Sequence, residues 1–355
     1  MMGREFASAA ARWHHLTAEE TAPEITAICS RTLDAGTVEW FRRIAPGIRL
    51  VTADYTEVLA SPDVDAVYIA VPNHLHEEMY TAAIAAGKHL MGEKPFGIGL
   101  KANTAILDAC RENPEVFVRC ASQYYFSPAA QQLCAMFGTG SFGRILEMDL
   151  GFKHSSDLNP DKPINWKRMN LYNGEYGVMG DLGMHVCAVP FRAGIVALDV
   201  RAVLTKVFEE RPDGAGGRAA CDTWDNAVLL CSAARAESSG GIFPMTMKFQ
   251  RIAPGEKNTW YISVYGTRAS ARISTKNINR IEVLEYGGGD RQSWQVIDTG
   301  HETVFPTVTA KIFEFGGPDH ILQMWASFIH EFGHRKVPGT FAGCVTPEET
   351  ALSHR

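Results

Sequence analysis

The chain has 355 residues, 46% of them hydrophobic and 21% charged, an ordinary globular composition that is long enough for two domains. Its formal net charge of −6 argues against a nucleic-acid or anionic-membrane partner, since both reward a basic surface. No apolar run approaches the roughly 20 residues that cross a bilayer, no signal-peptide pattern stands at the start, and the 8 cysteines form no C-x-x-C pair, which points to a reducing cytoplasm and to no thiolate metal site.

The first 13 residues read as the inside of a helix, a run of Phe, Ala and Trp behind Gly3 with no Ser, Thr, Asp or Asn to cap it. Short apolar runs at 25–29, 66–71, 88–91 and 116–120 then alternate with helical patterns near 34–43, 75–86 and 100–112. That alternation predicts a parallel sheet covered on both faces, an α/β domain over residues 1–123. After that the character changes. A long strand is expected over 144–153, a Pro/Asn-rich loop follows, and an apolar helix lies near 177–194. Strands dominate from 197 on (202–208, 224–232, 243–251, 259–265, 271–274 and 281–286), and helical patterns return at 318–333 and at the C-terminus. Residues 124–355 therefore read as an α+β domain with a large, mostly antiparallel open sheet.

Two stretches carry chemistry. A short strand exits into Glu93-Lys94-Pro95, and ligands of open parallel sheets bind outside the carboxyl ends of the strands. Lys94 is thus placed where a cofactor and a substrate meet, or is simply a surface lysine in a turn. In "GVMGDLGMHVCAVP", Asp181 and His185 are four residues apart and share one helix face. An imidazole there takes a hydroxyl proton near neutral pH, and the carboxylate orients a polyol or a lysine. The bland alternative is an acid serving the helix dipole beside a satisfied core histidine.

The order Val71-Pro72-Asn73-His74-Leu75-His76, Ala86-Gly87-Lys88-His89, Glu93-Lys94-Pro95 and Gly180-Asp181-Leu182-Gly183-Met184-His185 resembles the glucose–fructose oxidoreductase and inositol dehydrogenase (Gfo/Idh/MocA) family across nearly the whole chain. The resemblance implies a dinucleotide-binding Rossmann domain joined to an α/β domain, NAD or NADP as cofactor, and hydride transfer to or from a sugar or cyclitol. It makes Lys94 the partner of the reacting hydroxyl and of the nicotinamide ribose, His185 the general acid/base, and Asp181 an orienter of substrate or of Lys94. Asn73 and His76 would line the cofactor cleft with Pro72 beneath, and Glu93, Pro95 and Trp166, with Arg168, would lie toward cofactor or substrate. Tyr124, Tyr125, His154 and Trp166 add a polarity suited to a polyhydroxylated ring. Pairing through the second-domain sheet, as homodimer or homotetramer, is also implied.

The resemblance further implies a first strand and a G-x-G-x-x-G loop cradling the pyrophosphate. Gly3 stands where the third glycine belongs, so the first strand and two glycines are expected to be missing, leaving a gap between neighbouring strands and weak dinucleotide binding. A cofactor-deficient sensor is the alternative reading. Ser30 and Arg31 occupy the end of the second strand where an acid would select NAD, and a hydroxyl with a guanidinium suits the 2′-phosphate of NADP. A rival of another class is His330-Glu331-Phe332-Gly333-His334, a literal H-E-x-x-H zinc-protease signature on a helix that stops near Gly333.

Overall fold

A computed structural model describes residues 2–19, 21–236, 241–309, 311–337 and 343–355. Its first unit runs α1 (Met2–Ala11), β1 (Ala27–Cys29), α2 (Ala35–Ile44), β2 (Leu50–Thr52), α3 (Tyr55–Ala60), β3 (Ala66–Ile69), α4 (His76–Ala85), β4 (His89–Gly92), α5 (Leu100–Glu112) and β5 (Val118–Cys120). Asp34 caps α2 through Thr37 N at 2.7 Å, and Asp54 caps α3 through Thr56 N at 2.9 Å. Strand pairing is parallel throughout, as the alternation predicts, but the sheet is in two pieces: β1 pairs only β2, and β3, β4 and β5 form a separate ladder. The expected gap is therefore present between β1 and β3. An aromatic cluster packs beside it. The Phe6 ring of α1 lies 5.5 Å from Tyr68 of β3, and the indole of Trp325 lies 4.0 Å from Phe6 and 5.0 Å from Tyr68.

The second unit contains α6 (Pro128–Gly138), β6 (Ile145–Lys153), α7 (Asn170–Asn173), α8 (Met184–Arg192), β7 (Ile195–Thr205), the small hairpin β8 (Glu210–Pro212) and β9 (Arg218–Ala220), β10 (Asn226–Arg235), β11 (Phe243–Gln250), β12 (Thr259–Gly266), β13 (Ala269–Ser274), β14 (Arg280–Glu285) and β15 (Gln295–Asp298). Eight of these strands form one sheet in the order β15-β14-β13-β12-β6-β11-β10-β7, antiparallel except for the β11–β6 pair. Alternation is clean in β11, where Phe243, Met245, Met247 and Phe249 are buried and the residues between them are not. The buried face of the sheet meets α6 and α8 in one core that reaches Met91, Phe117, Trp325 and Phe328.

The C-terminal helices α9 (Gly317–His334) and α10 (Pro347–His354) return to the first unit. Val345 pairs with Cys120, whose N–H donates to Val345 O at 2.9 Å. Arg192 ties α10 to α8 through Glu349, at 2.5 and 2.6 Å. The helices α3, α6 and α7 and the strands β2, β8, β9 and β15 had no place in the sequence reading. No helix among the described residues is long and apolar enough to cross a membrane.

Candidate active site

The site forms where β4 exits and α8 begins. Before α8 the chain makes a wide π-type turn over Met179–Gly183, a geometry that recurs at functional sites. Gly177 leads into it at φ +53°, and a Cβ there would stand 2.8 Å from Trp224 N. Gly183 lets the turn press onto Phe249, whose ring would sit 3.1 Å from an added Cβ. The turn carries Asp181, 3% exposed, into the interior.

Three cations converge on Asp181. Lys94 Nζ donates to its Oδ1 at 2.9 Å and to its main-chain carbonyl at 2.6 Å. Lys167, from a turn at Trp166–Arg168, donates to Oδ1 at 2.9 Å and to Oδ2 at 3.1 Å. Arg251, just beyond β11, donates to Oδ2 at 2.5 Å. Burial opposes ionisation of Asp181, but Arg251, Lys94 and Lys167 together hold its carboxyl well below the usual range. Asp181 is a carboxylate with its four acceptor positions taken.

His185 follows one turn later and is 8% exposed. Its ring meets Tyr124 edge-on at 5.7 Å and Phe152 at 5.6 Å, and Tyr124 stacks on Trp260 at 5.9 Å. Burial, reinforced by the charge of Lys94, pushes its pKa well below 6.5, so the imidazole is neutral at neutral pH. His185 Nδ1 is buried with no hydrogen-bond partner among the described residues. A neutral base therefore stands beside an ammonium ion, with an unsatisfied ring nitrogen between aromatic walls. His154, one strand position past Lys153, feels Arg251, Asp181 and Lys167, and burial lowers its pKa to about 4. Tyr124 OH accepts from Asn258 Nδ2 at 2.6 Å.

The structure thus brings together Lys94, Asp181, His185, Tyr124 and His154. Trp166 is adjacent, since Lys167 Nζ lies 5.5 Å from its ring centroid. Other candidates are placed differently. His76 is completely buried, its ring nitrogens at 2.7 Å from Pro95 O and 3.0 Å from Val71 O; it braces two loops and lines no cleft. Asn73 is also buried and donates to Asn173 O and Oδ1 at 3.3 and 3.0 Å. Glu93 accepts from Tyr68 OH at 2.5 Å, which commits its carboxylate to β3. Buried Arg168 pairs with Asp225 and stands 3.6 Å from Asp157, a structural ion cluster and not an arm toward a ligand. Asp181 has no acceptor left for a substrate hydroxyl, so of its two expected roles only the orientation of Lys94 fits. Gly3 is under no close approach: a Cβ there would meet only Phe41 Cζ, at 4.0 Å. Lys167 and Arg251 were missed. Lys167 sits between two residues that drew attention, whereas nothing local links Arg251 to a carboxylate 70 positions away.

The zinc-protease reading fails on its base. Glu331 is 1% exposed and accepts from Ser327 Oγ at 2.6 Å, Cys344 N at 2.7 Å and Arg119 Nε at 3.0 Å. No cluster of three or more His, Cys, Asp or Glu that could hold a metal ion occurs among the described residues.

Residues 1–120 match the family model described as an oxidoreductase family with an NAD-binding Rossmann fold. Residues 1–120 thus carry the NAD-binding domain of the Gfo/Idh/MocA oxidoreductase family. It is 27% identical over 268 residues to levoglucosan dehydrogenase of Pseudarthrobacter phenanthrenivorans, a match covering 72% of this chain and 67% of that protein. Inositol 2-dehydrogenase of Rhodococcus jostii is 30% identical over 118 residues, but that match covers 33% of this chain and only 31% of the relative. In fold, a structure of levoglucosan dehydrogenase with NADH and L-sorbose superposes with a TM-score of 0.84 at 23% identity, covering 99% of this chain and 91% of that one. The matched domain is the Rossmann-type unit, and the superposition extends the likeness in fold to the open antiparallel sheet.

Proposed function

We propose that this chain is an NAD(P)-dependent dehydrogenase acting on a hydroxyl or keto carbon of a sugar-like polyol. The observation that carries the reading is the neutral His185 beside the Lys94 ammonium, which Asp181 fixes by two hydrogen bonds. A carbinol carbon gives up a hydride only as its oxygen loses a proton. His185 takes that proton from the substrate oxygen, and Lys94 Nζ donates to the same oxygen as negative charge builds on it. Asp181 keeps the ammonium aimed, and Tyr124, Phe152 and Trp260 exclude water from one side.

The unsatisfied Nδ1 of His185 and the strand-end placement of Lys94 fit a nicotinamide and its substrate at this end. A bound nicotinamide would supply the hydride acceptor. Lys94 and Trp166 would hold that end, Pro72 the middle, and Ser30 with exposed Arg31 the adenosine ribose. Arg31 favours NADP because its guanidinium matches a 2′-phosphate, and it lies close enough to His74 for its charge to act there. Comparison of turnover with NADP and NAD tests this preference. Exposed Leu198, Val200, Val203 and Leu230 on β7 and β10 favour pairing of copies through the open sheet face; sedimentation of the wild type against Val203→Lys tests that pairing. The decisive assay is NAD(P)H formation by the purified chain across a panel of sugars and cyclitols, repeated with Lys94→Ala and His185→Ala.

A further inference from the structure

The site holds more positive charge than its own carboxylates neutralise. Lys94, Lys167 and Arg251 share one acid, Asp181, whose acceptor positions are all engaged. The charges behind them balance: Arg168 faces Asp225 and Asp157, and Lys162 pairs with Asp157 at 2.5 Å. Glu93 is a further acid nearby, buried, turned to Tyr68, and raised in pKa by that burial, while Glu349 is paired with Arg192. Even with Glu93 ionised the cluster keeps an excess cation, in a chain whose net charge is −6. His154 and His185 are neutral and relieve none of it.

Cations removed from water without a counter-charge are costly, so a ligand of opposite charge would relieve the excess. The exposed end of the excess is Lys167. Its side chain keeps 36% of its accessible surface, against 13% for Lys94 and 2% for Arg251. Burial already lowers the Lys167 pKa despite Asp181. A partly exposed ammonium donor whose carboxylate partner is already fully engaged selects a ligand rich in acceptors.

We propose that the substrate is a polyhydroxy carboxylic acid, a sugar acid, and that Lys167 binds its carboxylate while Lys94 and His185 work on a hydroxyl of the same molecule. The class of substrate rests on the dehydrogenase reading for the hydroxyl, but the carboxylate contact does not. With Glu93 ionised the excess is a single charge, which a carboxylate matches better than a phosphate ester.

The test is titration calorimetry of the full chain, with and without NADH, against matched pairs: glucuronate and glucose, galacturonate and galactose, gluconate and sorbitol, with glucose 6-phosphate alongside. At least one acid is expected to bind about tenfold or more tightly than its neutral partner, a difference of about 1.4 kcal/mol. Lys167→Met brings that ratio close to one and Lys167→Arg restores most of it, while circular dichroism verifies that both variants fold. Three outcomes overturn the proposal: no acid exceeding its neutral partner, preference for glucose 6-phosphate over every carboxylate, or a preference for an acid that survives in Lys167→Met. The two readings fail separately. NAD(P)H formed from neutral sugars alone keeps the dehydrogenase and removes the sugar acid, whereas an acid that binds through Lys167 without being oxidised keeps the contact and removes the dehydrogenase.

Discussion

Asp181 and Glu331 are both almost wholly inside the protein, yet their surroundings differ in kind. Glu331 receives one cation, Arg119, and two neutral donors, Ser327 and the Cys344 amide, so its charge is matched and the cluster is closed. Asp181 receives three cations, two of which retain exposed surface, so its cluster is overcharged and open. A balanced buried carboxylate braces the fold: here it joins α9 to β5 and to the segment leading into α10. An unbalanced one holds reactive groups in place at a cost in solvation. H-E-x-x-H is the sharper pattern in the sequence, yet the open, overcharged cluster forms around D-x-x-x-H.

The comparison is broken most severely through His185. His185→Ala is expected to cut turnover about a thousandfold, within the range that general acid–base groups supply, while leaving the melting temperature close to that of the wild type. Steady-state kinetics and calorimetry on the same preparation check both. Glu331→Ala does the opposite. Removing the acid leaves half-buried Arg119 and the buried Ser327 and Cys344 donors without their partner and costs about 3 kcal/mol of stability, read from urea unfolding, with turnover per folded molecule unchanged.

Acid treatment sharpens the contrast next. Burial holds His76, His154, His320 and His354 neutral, each with its pKa lowered to about 4. Unfolded, each binds a proton near pH 6.5, so the stability they confer is complete above that pH and is lost as pH falls toward 4. Unfolding measured at pH 7 and pH 5 should differ by at least about 2 kcal/mol. Asp181 acts with the same sign but only lower down: its depressed pKa contributes stability that is present above about pH 4 and lost below it. A smaller effect is expected at Arg31, where Arg31→Ala shifts the ratio of NADP to NAD turnover about tenfold toward NAD, as loss of one charge-assisted contact would. The smallest is at the histidines flanking Glu331. His330 stacks on His334 at 4.2 Å and sits 3.5 Å from Glu19 near the surface, so the double change to Ala should alter stability by less than about 0.5 kcal/mol and leave activity and metal content unaltered.

Much of the architecture was legible because long, regular elements announce themselves. Helix α5 matches its expected span of 100–112, and β6, β10, β11 and β12 match to within three residues because their apolar periodicity is sustained over eight or more positions. The elements that escaped are short or lack a clear polar face. Strand β2 has three residues, α3 has six despite its Asp54 cap, and α6 is buried over most of its surface and lacks a polar stripe. At the site, Lys94, Asp181 and His185 were readable because each sits in a local pattern, a strand exit or an i, i+4 pair. His76 and Asn73 were misplaced because chain position fixes neither burial nor direction: each side chain turned inward to satisfy backbone or amide groups. Arg251 was invisible because its meaning comes from a carboxylate contributed by another element.

One measurement bears most directly on the account: NAD(P)H formation by the purified chain over a panel of sugars, cyclitols and sugar acids, run in parallel on the wild type, Lys94→Ala, His185→Ala and Glu331→Ala. The account predicts nicotinamide reduction with at least one substrate, abolished in the first two variants and retained in the folded fraction of the third. Undiminished reduction in Lys94→Ala or His185→Ala, or none by the wild type with any member of the panel, would contradict it.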